Sequence, residues 1–172
     1  MSSQNLTKAK LVAYNGEAPD IELMFNPTDI SFSRSVTWKS NEGNRGTTLL
    51  PKVNFSGVQP YEFTLKQLLF DSYETKESVM TKYIDEIKKG VETINGLPDK
   101  RPPVYIFTWG NEYFYCVIKR LTYTLNMFLN DGTPVRAMVD IELQEVDKNN
   151  LPRGQESASQ GANRQPNAAL DR

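Results

Sequence analysis

The side chains able to do chemistry are few, and their spacing suits none of the familiar reactions. The sequence contains no histidine, the side chain that most readily exchanges protons near neutral pH. That excludes Ser-His-Asp and Cys-His catalysis and histidine-ligated metal sites. The one cysteine, Cys116, lies in the apolar run Tyr115-Cys116-Val117-Ile118. A thiol there reads as core filler, because a nucleophilic thiol needs an electropositive, accessible setting. The carboxylates Asp71, Glu74, Glu77, Asp85 and Glu86 match no calcium-loop spacing. They read as solvated charges around a helix; glycosidase chemistry would require two of them to converge. Ser40 to Thr48 holds Gly43 and Gly46 but no Lys-Ser/Thr pair and no following helix, so it reads as a flexible contact loop or a purely passive one and not as a phosphate cradle. No catalytic residue, metal ligand or cofactor is expected.

The bulk properties agree with a non-catalytic reading. A chain of 172 residues suits one domain and can bury a sizeable core without disulfides or metals. The formal net charge of −1 gives no electrostatic reason to expect nucleic-acid or anionic-membrane binding. A single cysteine excludes an internal disulfide framework and fits a reducing compartment. Met1 to Lys10 is polar, so no secretory signal is expected, and no apolar run is long enough to span a bilayer as a helix. A soluble, mostly-β domain with no direct membrane insertion is the expectation.

The elements that would position any site are legible as alternation of period two. Ala9, Leu11 and Ala13 share one face. Ile21, Leu23 and Phe25 share the next, with Glu22 outward. Phe32, Val36 and Trp38 form a third, against Ser33, Ser35 and Thr37. Tyr61, Phe63 and Leu65 alternate with Glu62, Thr64 and Lys66. Val104 to Trp109 is apolar at most positions, which predicts cover on both faces. From Tyr113 a long strand sets Leu121, Tyr123, Leu125 and Met127 against Arg120, Thr122, Thr124 and Asn126. The last strand sets Val135, Ala137, Val139, Ile141 and Leu143 against Arg136, Asp140, Glu142 and Gln144. Turns are expected at Asn15-Gly16, Asn26-Pro27, Trp109-Gly110-Asn111 and Asn130 to Pro134, where Asp131-Gly132 supplies positive-φ positions for a tight hairpin. One helix is predicted, because Met80, Ile84, Ile87, Val91 and Ile94 fall on one stripe, with Ser78 as N-cap and Asn95-Gly96 as its stop. A lone amphipathic helix in a β chain must lie on a sheet or over a barrel end. After Val146 the chain is polar and lacks aromatics, so residues 148–172 are expected to form a flexible tail beside a folded domain at 1–147.

In order along the chain, Phe25-Asn26-Pro27, Val53, Phe55, Gly57, Leu65, Leu68-Leu69-Phe70-Asp71, Tyr73, Pro102-Pro103-Val104, Phe107, Trp109-Gly110, Phe114, Val117, Leu121, Tyr123, Phe128 and Asp131-Gly132-Thr133-Pro134-Val135-Arg136-Ala137 form a recognisable set. This set resembles the N-terminal tube-like domain of the LysM-bearing baseplate proteins of phage-tail-like contractile injection systems. The resemblance covers residues 7 to 147. It implies a mainly β fold, a tail-tube-like barrel or sandwich of antiparallel strands with one flanking α-helix. It also implies a structural, non-enzymatic role: a homo-hexameric ring that adapts the spike or hub complex to the inner tube. Tube-initiator and inner-tube proteins would be its neighbours, and baseplate wedge or sheath proteins are further implied contacts. The chain would be assembled in the cytoplasm and become part of a particle that is released or membrane-anchored. The segment after Val146 is too short for the family's usual LysM module. Candidate assembly contacts are Asn41 and Arg45 in the polar loop, Asp131, Gly132 and Thr133 at the hairpin tip, and Arg136. The alternatives are an inner-tube or tube-initiator subunit of the same machine and, further off, a monomeric carbohydrate-binding β-sandwich or a carboxylate hydrolase.

Overall fold

The computed structural model of the chain describes residues 6–40, 52–95, 100–110 and 112–151. Nine strands are present among them: β1 (Lys10–Ala13), β2 (Ile21–Glu22), β3 (Ile30–Ser33), β4 (Val36–Ser40), β5 (Val53–Val58), β6 (Glu62–Asp71), β7 (Tyr105–Trp109), β8 (Glu112–Phe128) and β9 (Pro134–Glu145). Seven form one antiparallel sheet in the order β2-β1-β7-β8-β9-β6-β3, and β4 and β5 form a separate two-stranded ribbon. The fold is mainly β, as expected.

The long β8–β9 hairpin is the spine of the sheet, and the sheet curls around its inner face. Phe107 of β7 and Phe63 of β6 are three strands apart in the sheet order. A flat sheet would hold those strands about 14 Å apart. Their ring centroids are 5.6 Å apart, and Phe63 also meets Phe114 of β8 at 6.0 Å. The inner faces of the sheet's two halves therefore pack on each other, although its edges β2 and β3 do not pair to close a barrel. Alternation is realised most fully on β9, where Val135, Ala137, Val139, Ile141 and Leu143 are all buried. On β6, Phe63, Leu65, Leu68 and Phe70 all point inward. The odd spacing between Leu65 and Leu68 is absorbed by a bulge at which Gln67 takes φ +54°.

Helical structure lies over the inner face. It begins as a π-helical segment (Met80–Ile84), continues as α1 (Asp85–Lys88) and ends as a 3-10 turn (Lys89–Val91). Val79, Ile84, Ile87 and Gly90 are its buried positions. Ser72 ties its approach to the sheet by donating from Oγ to the carbonyls of Glu77 at 2.7 Å and Val135 at 3.2 Å.

Several expectations require correction. Phe32, Val36 and Trp38 do not form one inward-facing strand. The chain breaks at Arg34-Ser35 into β3 and β4, and all three side chains are exposed. Phe25 is also exposed, because β2 ends at Glu22. The helix stops at Val91, which is exposed, and the position before its first turn is Val79, with no side-chain cap. Ser78 contributes its carbonyl to Lys82 N–H at 3.1 Å. On β7 one face, Tyr105 and Phe107, is fully covered, whereas Ile106 and Thr108 are half-buried. At the last hairpin only Gly132 adopts positive φ, +86°. Gly132 N–H donates to the Leu129 carbonyl at 2.9 Å and Leu129 N–H to the Thr133 carbonyl at 2.9 Å. The connection is thus a type I turn followed by a left-handed glycine, not a two-residue turn with both positions left-handed.

Candidate functional site

The reactive groups are dispersed, and three of the five carboxylates singled out are ion-paired. Cys116 is fully buried, and burial pushes its thiol up to about 12, against a smaller opposing effect from a hydrogen bond with the Phe107 backbone. Such a thiol is protonated and inert at neutral pH. The carboxylates do not converge. Asp71 is held below the usual carboxylate range by the Tyr73 backbone N–H and then by Arg136, whose Nη2 lies 2.6 Å away. Glu77 pairs with Lys82 at 2.6 Å and Asp85 with Lys88 at 3.6 Å. Among the described residues no three His, Cys, Asp or Glu side chains are grouped to hold a metal ion.

Surfaces are the informative features, and the first is the outer face of β6, β9 and β8. The pairing aligns Thr64, Glu142 and Arg120 across the three strands, and sets Thr122 beside Asp140. Its charges are of both signs, and several are paired. Lys119 bonds Glu62, Arg120 lies 3.6 Å from Glu142, and Asp140 accepts the Gln67 backbone N–H at 2.7 Å. The Arg136–Asp71 pair ends the row. The result is a polar wall of mixed charge, in the arrangement expected from alternation on the two long strands.

The second surface was not expected. The ribbon of β4 and β5 aligns Val36 with Val58, Trp38 with Phe55, and Ser40 with Val53. The five apolar members of that face are 44–59 % exposed. Trp38 and Phe55 pack edge-to-face with centroids 5.6 Å apart. A lone two-stranded ribbon is marginal in water, yet this one is anchored at its root. Arg34 donates to the Gln59 carbonyl at 2.9 Å and lies 4.6 Å from the Tyr61 ring centroid, and Gln59 N–H donates to the Ser35 carbonyl at 2.9 Å. A contiguous apolar face held out by a stapled root marks an interaction surface.

The third is an apolar groove of about 480 Å³ where the curled sheet stays open, between β3 and the β7–β8 hairpin. Ile30, Phe32, Phe107, Trp109 and Phe114 line it.

Of the expected contact residues, Asn41 and Arg45 lie outside the described residues. Asp131, Gly132 and Thr133 form the exposed or half-exposed tip of the β8–β9 hairpin, where the Asp131 carboxylate accepts the Thr133 N–H at 2.9 Å. That bond holds the Asp131 carboxyl below its usual range. Arg136 sits apart from the tip, half-buried against Asp71. The sequence signal for the ribbon was present but misread: Val36 and Trp38 do share a face, and Val53 and Phe55 repeat the spacing.

Asn26 gives one quoted motif a structural reason. Its Oδ1 accepts the Ala9 N–H at 2.8 Å and its Nδ2 donates to the Thr7 carbonyl at 2.9 Å, so an amide side chain extends the edge of β1 as a strand would. No helix among the described residues is long and apolar enough to cross a membrane. No curated protein matches the chain at a significant level. A family model does match, across residues 5–153, and that span takes in the curled sheet, the ribbon, the groove and the hairpin tip. The chain belongs to the contractile injection system tube protein family.

Proposed function

We propose that this tube-type structural protein is a baseplate adaptor: a homo-hexameric ring between the spike or hub complex and the first inner-tube rings, without catalysis. The observation that carries an assembly role is the ribbon's exposed apolar face, which a finished monomer would be expected to cover. Among the described residues β2 and β3 end the main sheet and β4 and β5 pair only with each other as strands, which supports the same reading, since neighbours arranged around an axis would cover sheet edges. Heterologous contacts of this kind form rings when the rotation closes. In such a ring the mixed-charge wall of β6, β9 and β8 is the surface suited to face the lumen, because paired charges hold a passing cargo weakly. Asn41, Arg45 and the 131–133 tip are the proposed reach toward adjacent rings, and the tail at 148–172 is proposed as a flexible extension of the 1–147 domain.

The likeness to LysM-type baseplate proteins supports the adaptor position. The matched family's own description, a tube protein, favours the second reading, an inner-tube or tube-initiator subunit. Copy number separates them. Cryo-EM of the intact particle, with this chain located in the map, is expected to show one sixfold ring. Many stacked rings of the same chain would replace the adaptor by a tube subunit, and a solitary monomer in the particle would end both readings.

A further inference from the structure

We propose that the apolar face of the β4–β5 ribbon docks in the groove between β3 and the β7–β8 hairpin of the next copy of this chain. The inference rests on the ring reading and names the contact that would build it.

Two surfaces on one chain are unfinished in complementary ways. The ribbon carries its apolar side chains on one face, with Trp38 and Phe55 as its ring pair, flanked by Val36, Val53 and Val58. The groove is concave and lined by the aromatic rings of Phe32, Phe107, Trp109 and Phe114 together with Ile30. Its volume, about 480 Å³, lies in the range of sites that take drug-sized groups, a scale appropriate to a pair of aromatic side chains. The ribbon does not fill the groove of its own chain, because its apolar side chains remain about half exposed. A second copy supplies each surface with what it lacks.

Backbone polarity points the same way. Among the described residues β3 pairs only with β6, and each ribbon strand pairs only with the other. A ribbon entering beside β3 brings β4 alongside the last strand of the main sheet, so that main-chain hydrogen bonds add to apolar contact, as in strand-addition recognition. The contact is head-to-tail, ribbon to groove, and leaves the same pair of surfaces open at each end of a growing array. It therefore closes only as a ring or continues as a filament. With a net charge of −1 per chain, accumulated charge opposes this association little. The staple at the ribbon root, Arg34 to Gln59 and Tyr61, fixes the angle at which the ribbon leaves its own sheet, and so the rotation between copies.

The test mixes two full-length variants, Phe55→Cys on the ribbon and Trp109→Cys on the groove, and oxidises them mildly while native mass spectrometry counts subunits. Cys116 is buried and does not interfere. The mixture is expected to give a heterotypic cross-linked dimer, and each variant alone none. In parallel, Trp38→Ser is expected to lower the oligomer fraction at least tenfold while circular dichroism and melting temperature stay near wild type, since Trp38 contributes nothing to the core. Rings that form normally without the heterotypic cross-link, or that Trp38→Ser leaves intact, overturn the ribbon-to-groove contact while the ring reading stands. A wild-type chain that remains monomeric at hundreds of micromolar overturns this contact, and a solitary copy within the particle separately overturns the ring.

Discussion

Gly90 is the point where the helical segment comes closest to the sheet, and replacing it tests the account of the core. It is buried, in the final 3-10 turn, and its φ is ordinary, so an alanine meets no backbone strain there. Space is the constraint: a Cβ would lie 2.7 Å from Ile118 Cδ1 and 3.2 Å from Tyr105 Oη. Overpacking of this kind costs about 1–3 kcal/mol. Against it, alanine restricts the unfolded chain and returns about 0.4–1 kcal/mol. The net expectation for Gly90→Ala is a loss of about 1 kcal/mol, a fall in Tm of about 2–4 °C for a chain of this size. The double mutant separates the two contributions. Ile118→Val deletes the Cδ1 atom in the way, at its own cost of about 0.5–1.5 kcal/mol. In that background Gly90→Ala should cost less, with only the 3.2 Å approach to Tyr105 Oη still opposing it, giving a coupling of about 1 kcal/mol between the sites. Urea melts of the four proteins measure this. An equal effect of Gly90→Ala in both backgrounds, or a higher Tm in the wild-type background, would refute the close approach.

Burial raises the Glu17 carboxyl, but the two-pronged bond from Arg101, at 2.8 and 2.9 Å, and the Val104 N–H more than offset it and hold it below its ordinary 4.5. Its contribution is complete above that ordinary value and is lost as pH falls through the lower folded one, so Glu17→Gln should flatten the acid limb of Tm against pH; an unchanged limb contradicts the pair, and Arg101→Ala should cost about 3 kcal/mol near neutral pH by stranding the carboxylate. Cys116 should resist iodoacetamide in the native protein at pH 8 and react fully in urea; native labelling at the rate of a free thiol would show that the β7–β8 core opens. Gly132→Val should cost about 1–3 kcal/mol, because a β-branched residue resists the left-handed φ at the hairpin tip, and an unaltered Tm would remove the turn assignment. Deleting residues 149–172 should leave the melting temperature within about 2 °C of wild type, since only the half-buried Leu151 of that segment lies among the apolar side chains described; a large drop would show that the tail packs on the domain.

Alternation in the sequence revealed which side chains share a face, and it was reliable wherever that face met the core. β9 and the first half of β6, where Phe63 and Leu65 are buried, follow it for that reason. It carried no information on whether a face is covered. Val36 and Trp38 have the same alternating pattern as Phe63 and Leu65, but the former stand on a ribbon where they are about half exposed, whereas the latter are buried. Whether a strand joins the main sheet depends on partners dozens of residues away, which local periodicity does not encode. The helix shows a different failure. A stripe of fours and threes correctly picked Ile84 and Ile87, but the π-helical first turn widens the spacing, so Val79 faces the core five residues before Ile84 while Met80 is only half-buried. At the other end Gly90, not Val91, occupies the buried position, because only a residue without a side chain fits against Ile118.

Of the residues that carry the family likeness, Asn26 and most of the segment 131–137 are engaged within the chain, whereas Val53 and Phe55 stand on the exposed ribbon face. Asn26 bonds Thr7 and Ala9, Asp131 closes its own turn, Gly132 takes the left-handed φ, Val135 and Ala137 are buried, and Arg136 is bound to Asp71. Such residues specify how the sheet curls and how the long hairpin ends, which any tube-type subunit requires regardless of its position. They leave little for a neighbour to read. Partner choice must then fall to side chains that the fold leaves free, and the largest such group is the ribbon face with Trp38 and Phe55. Substitutions at Val135, Arg136 and Ala137 should therefore lower stability first and assembly only in consequence, whereas substitutions on the ribbon face should alter assembly at constant stability. Measuring melting temperature and oligomer fraction on the same variants distinguishes the two classes. If Arg136→Ala reduced assembly with no loss of stability, the segment would be a contact surface and this division between folding residues and docking residues would be wrong.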